Sequence, residues 1–256
     1  MPLMCLRRGE EFYAGNVSSS AAWENLRQEN LATRSLSCRF CDSLFHLRTS
    51  PLGTRHFVHV RQERCTSAPE SAAHLLAKER IAAGVSRAGW AAKVEEPYKG
   101  GVTDVLAVHL QRSAVAFEVQ WSSRTMHDTR IRQSRYKLAG INCVWFFKQH
   151  DFLSDALHPG FLLGFDKVTR MLTVRMPTSK YEPLEKRWRR RSYSSQEIEL
   201  SVFVEGLLTG RLHLDPVQGR LFPVELNAAS STCEKCGCHI TVGTSLNFKI
   251  AKILPG

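Results

Sequence analysis

Residues 66–150 constrain the fold more than any other part of the chain, because helical and strand patterns follow one another there without a long break. A helix is predicted from the capping sequence Ser67-Ala-Pro-Glu70 to Gly89, and the last strand is apolar enough to lie inside a sheet. The predicted elements occupy, in chain order, residues 67–89, 92–98, 102–110, 114–121, 123–139 and 141–147. Their order, αβββαβ, predicts an α/β core of the α+β type with a mixed sheet.

Two of these strands carry polar residues among apolar neighbours. Glu118 and Gln120 lie two residues apart, so they share one face of their strand. Asp104 begins the preceding strand, and antiparallel pairing can bring it opposite them. Two carboxylates repel each other unless a cation lies between them, and oxygen ligands suit Mg²⁺ or Mn²⁺. We therefore expect Asp104 and Glu118 to bind a catalytic metal ion. The alternative for Asp104 is a turn residue without a ligand role. The alternative for Glu118 and Gln120 is the solvent-facing side of an edge strand.

The first predicted helix adds polar groups at four-residue spacing. Glu70, His74 and Lys78 form one stripe, which could flank the metal site. Glu70 could equally serve only as the acid of its own capping box. For His74 the alternative is an ordinary hydrogen-bonded histidine, and for Lys78 it is a surface charge.

Five of the eight cysteines lie in two tight clusters, which in a reducing compartment indicates metal binding rather than disulfides. Cys38-x2-Cys41 is followed by His56-x2-His59, and together they supply the four donors that tetrahedral zinc requires. Four protein ligands leave no position for water, so we expect a structural Zn²⁺. The nearby residues that could replace one of the histidines are His46 and Cys65.

A second cluster, Cys233-x2-Cys236-Gly-Cys238, lies near the C-terminus. Its three thiols could form a second zinc site with a fourth ligand from elsewhere, such as His213 or Cys5. A tail with free thiols is the alternative.

Positive charge indicates the class of partner. Lys and Arg number 35 against 24 Asp and Glu, a formal net charge of +11 that favours nucleic acid first and an acidic membrane surface second. We expect residues 177–196 to form a linker that either contacts DNA or is simply solvated. Its cationic side chains suit contact with phosphates, and the indole of its tryptophan suits stacking on a base. The residues concerned are Lys186, Arg187, Trp188, Arg189, Arg190 and Arg191.

No stretch reaches the roughly 18 apolar residues of a spanning helix, and the first residues lack the apolar centre of a signal peptide. We therefore expect a cytoplasmic protein without a membrane partner.

Three domains are expected, at residues 1–65, 66–150 and 151–256. The elements predicted outside the core are a helix over 21–32, a hairpin of 161–165 with 171–174, and a helix over 197–208.

Several of these segments together resemble the CoiA-like competence protein family, and the core resembles the restriction-endonuclease-like PD-(D/E)xK nuclease fold. The segments that carry the resemblance are CRFC, RHFVH, PESAAHLLAKERI, GVTDVLAV, AFEVQWSSRT and RYKLAGINCVWFF. The resemblance covers about residues 10–150. It implies that Asp104 and Glu118 are metal ligands, that Gln120 replaces the usual lysine, and that Glu70 is the acid of the first helix.

The resemblance implies a metal-dependent DNA nuclease that acts in recombination, competence or foreign-DNA processing, with recombination proteins as further partners. Gln120 can orient a water molecule but supplies no positive charge to the phosphate. Two alternatives therefore stay open: a zinc-containing DNA-binding protein with a weak or inactive core, and an adaptor that recruits recombination factors. The cations expected to contact DNA near the core are Lys78, Arg124, Arg130 and Arg132; for the three arginines the alternative is a solvated helix face.

Overall fold

The computed structural model describes residues 2–61, 65, 70–121, 126–148, 160–182, 187–212, 224–232 and 239–248. Side chains are not described for residues 126, 176–182, 187–196, 224–232 and 239–248. The chain divides into two compact units, Met1–Leu214 and Asp215–Gly256.

Four α-helices and sixteen strands occur in the part of the chain that the structure describes. The helices are α1 (Ser20–Thr33), α2 (Ala72–Arg87), α3 (Met126–Leu138) and α4 (Leu200–Thr209), with a 3₁₀ turn at Ala14–Asn16. The strands are β1 (Met4–Arg7), β2 (Glu10–Tyr13), β3 (Leu36–Ser37), β4 (Phe45–Thr49), β5 (Arg55–His59), β6 (Ala91–Val94), β7 (Pro97–Tyr98), β8 (Gly101–Val102), β9 (Val105–His109), β10 (Arg112–Gln120), β11 (Asn142–Phe147), β12 (Gly160–Phe165), β13 (Leu172–Glu182), β14 (Arg187–Glu199), β15 (Val224–Thr232) and β16 (His239–Phe248).

A small N-terminal module precedes the central sheet. Strands β2, β1 and β3 form one antiparallel sheet, and β4 and β5 form a hairpin. Helix α1 begins after Ser19, whose Oγ accepts the Ala22 N–H at 3.1 Å, as an N-cap should. Trp23 from the helix packs with Phe45 and Phe57 from the hairpin, so the module has its own apolar core.

The central sheet has seven strands in the order β14-β13-β12-β11-β10-β9-β6. Strand β9 is antiparallel to β6 and β10, whereas β11 is parallel to β10 and β12. Alternation along β10 sends Phe117 and Val119 into the apolar cluster that includes α2 and α4, and sends Ala116 into the cluster that includes Tyr136 of α3. The mixed sheet and the order α2-β6-β9-β10-α3-β11 confirm the predicted fold.

Helices α2 and α4 approach each other closely at Gly84. A Cβ at this position would lie 2.5 Å from the Ser201 carbonyl oxygen, so only glycine permits the contact. This packing brings α4 into the core formed by α2 and the sheet.

The start of α2 differs from the prediction. Ser71 is the N-cap, and its Oγ accepts the His74 N–H at 3.2 Å. The capping role expected for Glu70 is therefore wrong, because the helix begins at Ala72 and Glu70 precedes its cap.

The expected linker at 177–196 is also wrong where it is described, because β13 and β14 form a long antiparallel hairpin there. Charged residues hide a strand pattern whose Trp188, Tyr181 and Tyr193 favour β structure. Strand β12 pairs with β11 on one side and with β13 on the other, so the sheet continues past the boundary expected at residue 150. Within β13, only Leu172 to Arg175 pair with β12. We call residues 177–182 and 187–193 the basic ribbon; Lys186 lies outside the described residues.

In the second unit, β15 and β16 form an antiparallel hairpin. Cys233, Cys236 and Cys238 lie outside the described residues, so the expected second zinc site stays a prediction. None of the helices described here is long and apolar enough to cross a membrane.

Candidate functional site

Three ligand residues meet where α2 faces the start of β9. One ligand atom each from Glu70, His74 and Asp104 lies within 4.8 Å of the other two, a spacing that could hold a metal ion. His74 is in the first turn of α2, and its Nε2 lies 3.2 Å from Asp104 Oδ2. We call these three residues the acidic site.

Asp104 is held from two directions. The Val119 N–H on β10 donates to Asp104 Oδ2 at 2.8 Å, and His74 lies on the other side. Burial opposes ionisation, but the charges of His74 and Lys78 hold the pKa of Asp104 well below its ordinary value. Burial likewise lowers the pKa of His74, but Asp104 and Glu70 outweigh it and raise that pKa. An ionised Asp104 is therefore favoured even before a metal ion binds.

Glu118 lies beside Asp104 but has different partners. Its carboxylate accepts the Asp104 backbone N–H, an Arg132 N–H at 2.8 Å and the Tyr136 hydroxyl, and its side chain is only 1% exposed. Burial, followed by repulsion from Asp104, raises the pKa of Glu118 to about 7. The structure thus places the two predicted ligands side by side in the sheet. The side chain of Asp104 contacts α2 through His74, whereas that of Glu118 contacts α3 through Arg132 and Tyr136.

Lys78 lies in the interior. Its Nζ contacts Glu70 Oε2 at 2.7 Å and Glu95 Oε1 at 2.6 Å, and its side chain is 1% exposed. Burial lowers the pKa of Lys78, but Glu95 and Glu70 raise it by more than burial lowers it. The net pKa is raised, so the ammonium form is stable. The expected surface charge and DNA contact of Lys78 do not fit this position, because its ammonium group is buried and paired with two carboxylates.

The other predicted residues near the core have distinct positions. Gln120 is buried at the end of β10. Arg130 is exposed on α3, whereas the Arg132 guanidinium is bound to Glu118 and lies 5.4 Å from the Trp145 ring centroid. Arg124 lies outside the described residues.

A second group of ligands forms in the N-terminal module from Cys38, Cys41, His59 and Cys65, whose donor atoms all lie within 4.8 Å of one another. The Cys38–Cys65 Sγ distance is 3.9 Å, and Cys41 Sγ lies 3.5 Å from His59 Nε2. A tetrahedron with bonds of about 2.3 Å to sulfur and about 2.0–2.1 Å to nitrogen has edges of about 3.8 and about 3.6 Å. This Cys/His group could therefore hold a metal ion with little rearrangement.

His56 is not in the Cys/His group, and Cys65 takes its place. Residues three apart on a strand point to opposite faces, so His56 and His59 on β5 cannot both face one ion. The His56 ring is buried and lies 3.2 Å from the Thr54 carbonyl oxygen. Assigning His56 as a ligand was wrong for this reason.

The turn between Cys38 and Cys41 is shaped for a thiolate. The Phe40 N–H donates to Cys38 Sγ at 3.4 Å, and the Asp42 N–H donates to the Cys38 carbonyl oxygen at 2.9 Å. Burial raises the pKa of Cys38 to about 12, so a thiolate at this position requires a nearby cation.

Sequence reasoning missed Glu95 altogether. This residue follows β6 directly, and nothing in its spacing relates it to Glu70 or Lys78, since the contact depends on sheet pairing. His74 was named only as part of a stripe; its four-residue spacing from Glu70 was the signal that could have placed both at one site.

A mixed sheet with helices on both faces and a carboxylate–histidine site beside it defines an α+β domain with a candidate metal site. Residues 70–169 match the family model described as competence protein CoiA, nuclease-like domain. The match confirms, over this part of the chain, the resemblance to the CoiA-like competence protein family seen in the sequence. The match includes the acidic site but not the Cys/His group. Comparison with curated proteins and with solved structures gives no match.

Proposed function

We propose that the chain is a metal-dependent DNA nuclease, which hydrolyses phosphodiester bonds at the acidic site in recombination, competence or foreign-DNA processing. One observation carries the proposal: Glu70, His74 and Asp104 converge within the CoiA nuclease-like domain, next to Glu118. Carboxylates and an imidazole at this spacing suit Mn²⁺ or Mg²⁺.

The acidic site fits a catalytic ion better than a structural one. Three protein ligands leave positions for water and for a phosphate oxygen. A divalent ion bound there supplies Lewis acidity and lowers the pKa of its bound water. The chain's own contribution is to hold Asp104 through the Val119 N–H and His74.

Glu118 and Gln120 lie on the strand beside the acidic site. Glu118 accepts the Asp104 backbone N–H and so helps to position that ligand; release of its carboxylate from Arg132 would let it accept the proton of an attacking water. Arg132 and Tyr136 hold that carboxylate in place. The Gln120 amide can orient the water through a hydrogen bond.

DNA contact is assigned to Arg130 and to the basic ribbon. The pairs Tyr181↔Trp188 and Lys180↔Arg189 are neighbours along the ribbon. The ribbon therefore combines aromatic positions suited to base stacking with cationic positions suited to phosphates. At roughly 3.4 Å per residue the ribbon extends about 20 Å beyond the paired part of β12.

The Cys/His group is assigned a structural Zn²⁺, because three thiolates and one imidazole complete a tetrahedron. Its four ligands leave no open position for a reacting water.

The nuclease proposal is tested with Asp104→Asn and Glu118→Gln in a plasmid and oligonucleotide cleavage assay with Mn²⁺, Mg²⁺ or EDTA. We expect Mn²⁺-dependent cleavage by the wild type and a loss of more than about 100-fold in Asp104→Asn, because a metal ligand is removed. The matched control is Asp166→Asn, since Asp166 is an exposed turn residue whose side chain accepts the Val168 and Thr169 N–H groups. Full cleavage by both site variants would contradict the assignment.

The ribbon is tested by measuring the salt dependence of DNA binding. Removing Arg187 and Arg189 should lower the slope of log affinity against log salt by roughly one per lost phosphate contact. Trp188→Ala should weaken binding to single strands while leaving that slope nearly unchanged. The control is the double variant Arg27→Ala/Arg34→Ala, which removes two charges from α1 and its end. Equal slopes in the ribbon variant and the wild type would exclude the ribbon from the interface.

A second candidate function is a zinc-containing DNA-binding protein with little or no cleavage activity. It is favoured by the ion pair that occupies Glu118, whose carboxylate is already bound by Arg132 and Tyr136. DNA binding in a gel-shift assay without cleavage in either metal would support this candidate.

A further inference from the structure

We infer that Glu95 is a positioning residue of the acidic site, which compensates the charge of buried Lys78 and so keeps Glu70 available to a metal ion. The inference rests on the proposed function, because it concerns the same metal site. Glu95 itself belongs to neither ligand group.

The contacts of Lys78 show why compensation is needed. Its ammonium group lies between Glu70 and Glu95, at 2.7 and 2.6 Å, with almost no exposure to solvent. A buried cation with one carboxylate partner holds that partner tightly, because water does not screen the attraction. If Glu95 were neutral, Lys78 would therefore compete with a metal ion for Glu70 and would also repel the ion.

Glu95 is held in place by two backbone N–H groups, one just before β1 and one at its first residue. Its Oε1 accepts the Leu3 N–H at 2.8 Å, and its Oε2 accepts the Met4 N–H at 3.3 Å. Pro2 in turn accepts the Phe57 N–H from β5 at 2.9 Å, two residues before His59. The N-terminal module thus supports the carboxylate that neutralises Lys78.

The backbone at Glu95 is unusual in a way that agrees with a positioning role. Its φ is +54°, in the left-handed region that a residue with a side chain rarely adopts. The Glu95 N–H donates to the Asp104 carbonyl oxygen at 2.9 Å, so the residue continues the sheet pairing beside a site ligand. Such strain persists only where surrounding contacts enforce it, and here the Glu95 carboxylate contacts Lys78, Leu3 and Met4.

The test is Mn²⁺ binding by the full-length chain, measured by electron paramagnetic resonance of free Mn²⁺ and without any cleavage assay. In Glu95→Gln the amide oxygen can still accept the Leu3 N–H, but the negative charge is lost. We expect the Mn²⁺ affinity to fall at least tenfold. The matched control is Glu96→Gln, because Glu96 is the next residue and pairs only with Lys93 among its described ion pairs, at 3.1 Å. The control should bind Mn²⁺ as the wild type does.

A second variant separates positioning from folding. Glu95→Gln/Lys78→Met removes both buried charges together, so the competing ammonium group is gone and Mn²⁺ affinity should return to within about threefold of the wild type. Thermal unfolding of each variant is measured alongside. An affinity in Glu95→Gln equal to that of the wild type would overturn the inference, as would a double variant that binds Mn²⁺ no better than Glu95→Gln. If the wild type itself binds no Mn²⁺ at the acidic site, the proposed function fails as well.

Discussion

The Cys/His group takes its ligands from residues 38–65, whereas the acidic site joins Glu70 and His74 to Asp104, a residue 30 positions beyond His74. The first group combines three thiols and one imidazole, which can occupy the four corners of a tetrahedron. The second combines oxygen and nitrogen donors that leave room for water. Ligand chemistry and ligand number therefore support the proposal that the Cys/His group stabilises a module and that the acidic site acts on a substrate.

The two sites also differ in how their charges are compensated. In the Cys/His group, a thiolate at Cys38 would depend on a bound cation, because burial raises the pKa of that thiol. In the acidic site, Lys78 and His74 already balance part of the negative charge. We therefore expect loss of metal to unfold the N-terminal module but to leave the central sheet intact.

The largest effect is expected from His59→Ala. Losing one of four zinc ligands should release the ion and lower the free energy of unfolding by about 3 kcal/mol or more, since zinc binding supplies folding free energy in small modules. Metal content by mass spectrometry and chemical denaturation measure the two effects.

His56→Ala is the matched control for His59→Ala, because both histidines lie on β5 and only His59 faces the other ligands. We expect it to retain the ion and to lose about 1–3 kcal/mol from its buried contact with Thr54. If His56→Ala loses zinc while His59→Ala keeps it, the assignment of Cys65 and His59 is wrong.

The central elements could be predicted from the sequence because each depends on local pattern. Alternation around Glu118 and the helical spacing before Gly89 determine which residues face the core, and the structure agrees. The Cys38-x2-Cys41 turn was likewise predictable, since two thiols at this spacing approach one point. Cys65 was available only as an alternative, because its position depends on the path of the chain after β5.

Contacts between distant residues could not be predicted in the same way. The contact of Lys78 with Glu95 joins α2 to the end of β6, and the contact of Glu95 with Leu3 spans 92 positions in the chain. The basic ribbon was missed for another reason: strands are recognised by apolar alternation, and the nearly continuous run of arginines from Arg187 to Arg191 has none.

The smallest expected effect concerns His74 and sharpens the contrast in ligand chemistry. Imidazole nitrogen favours Mn²⁺ over Mg²⁺, which prefers oxygen ligands. In His74→Asn an amide oxygen replaces the imidazole, so we expect Mn²⁺ affinity to fall about tenfold while Mg²⁺ affinity changes less than about threefold. The measurement is Mn²⁺ binding by electron paramagnetic resonance, with Mg²⁺ added as a competitor.

His127→Asn serves as the control for this change, because His127 is exposed on α3 and is not part of either ligand group. An unchanged Mn²⁺ to Mg²⁺ preference in His74→Asn would mean that His74 only orients Asp104 through their 3.2 Å contact. The acidic site would then bind its ion through carboxylates alone, and its difference from the Cys/His group would be one of pure oxygen against sulfur and nitrogen.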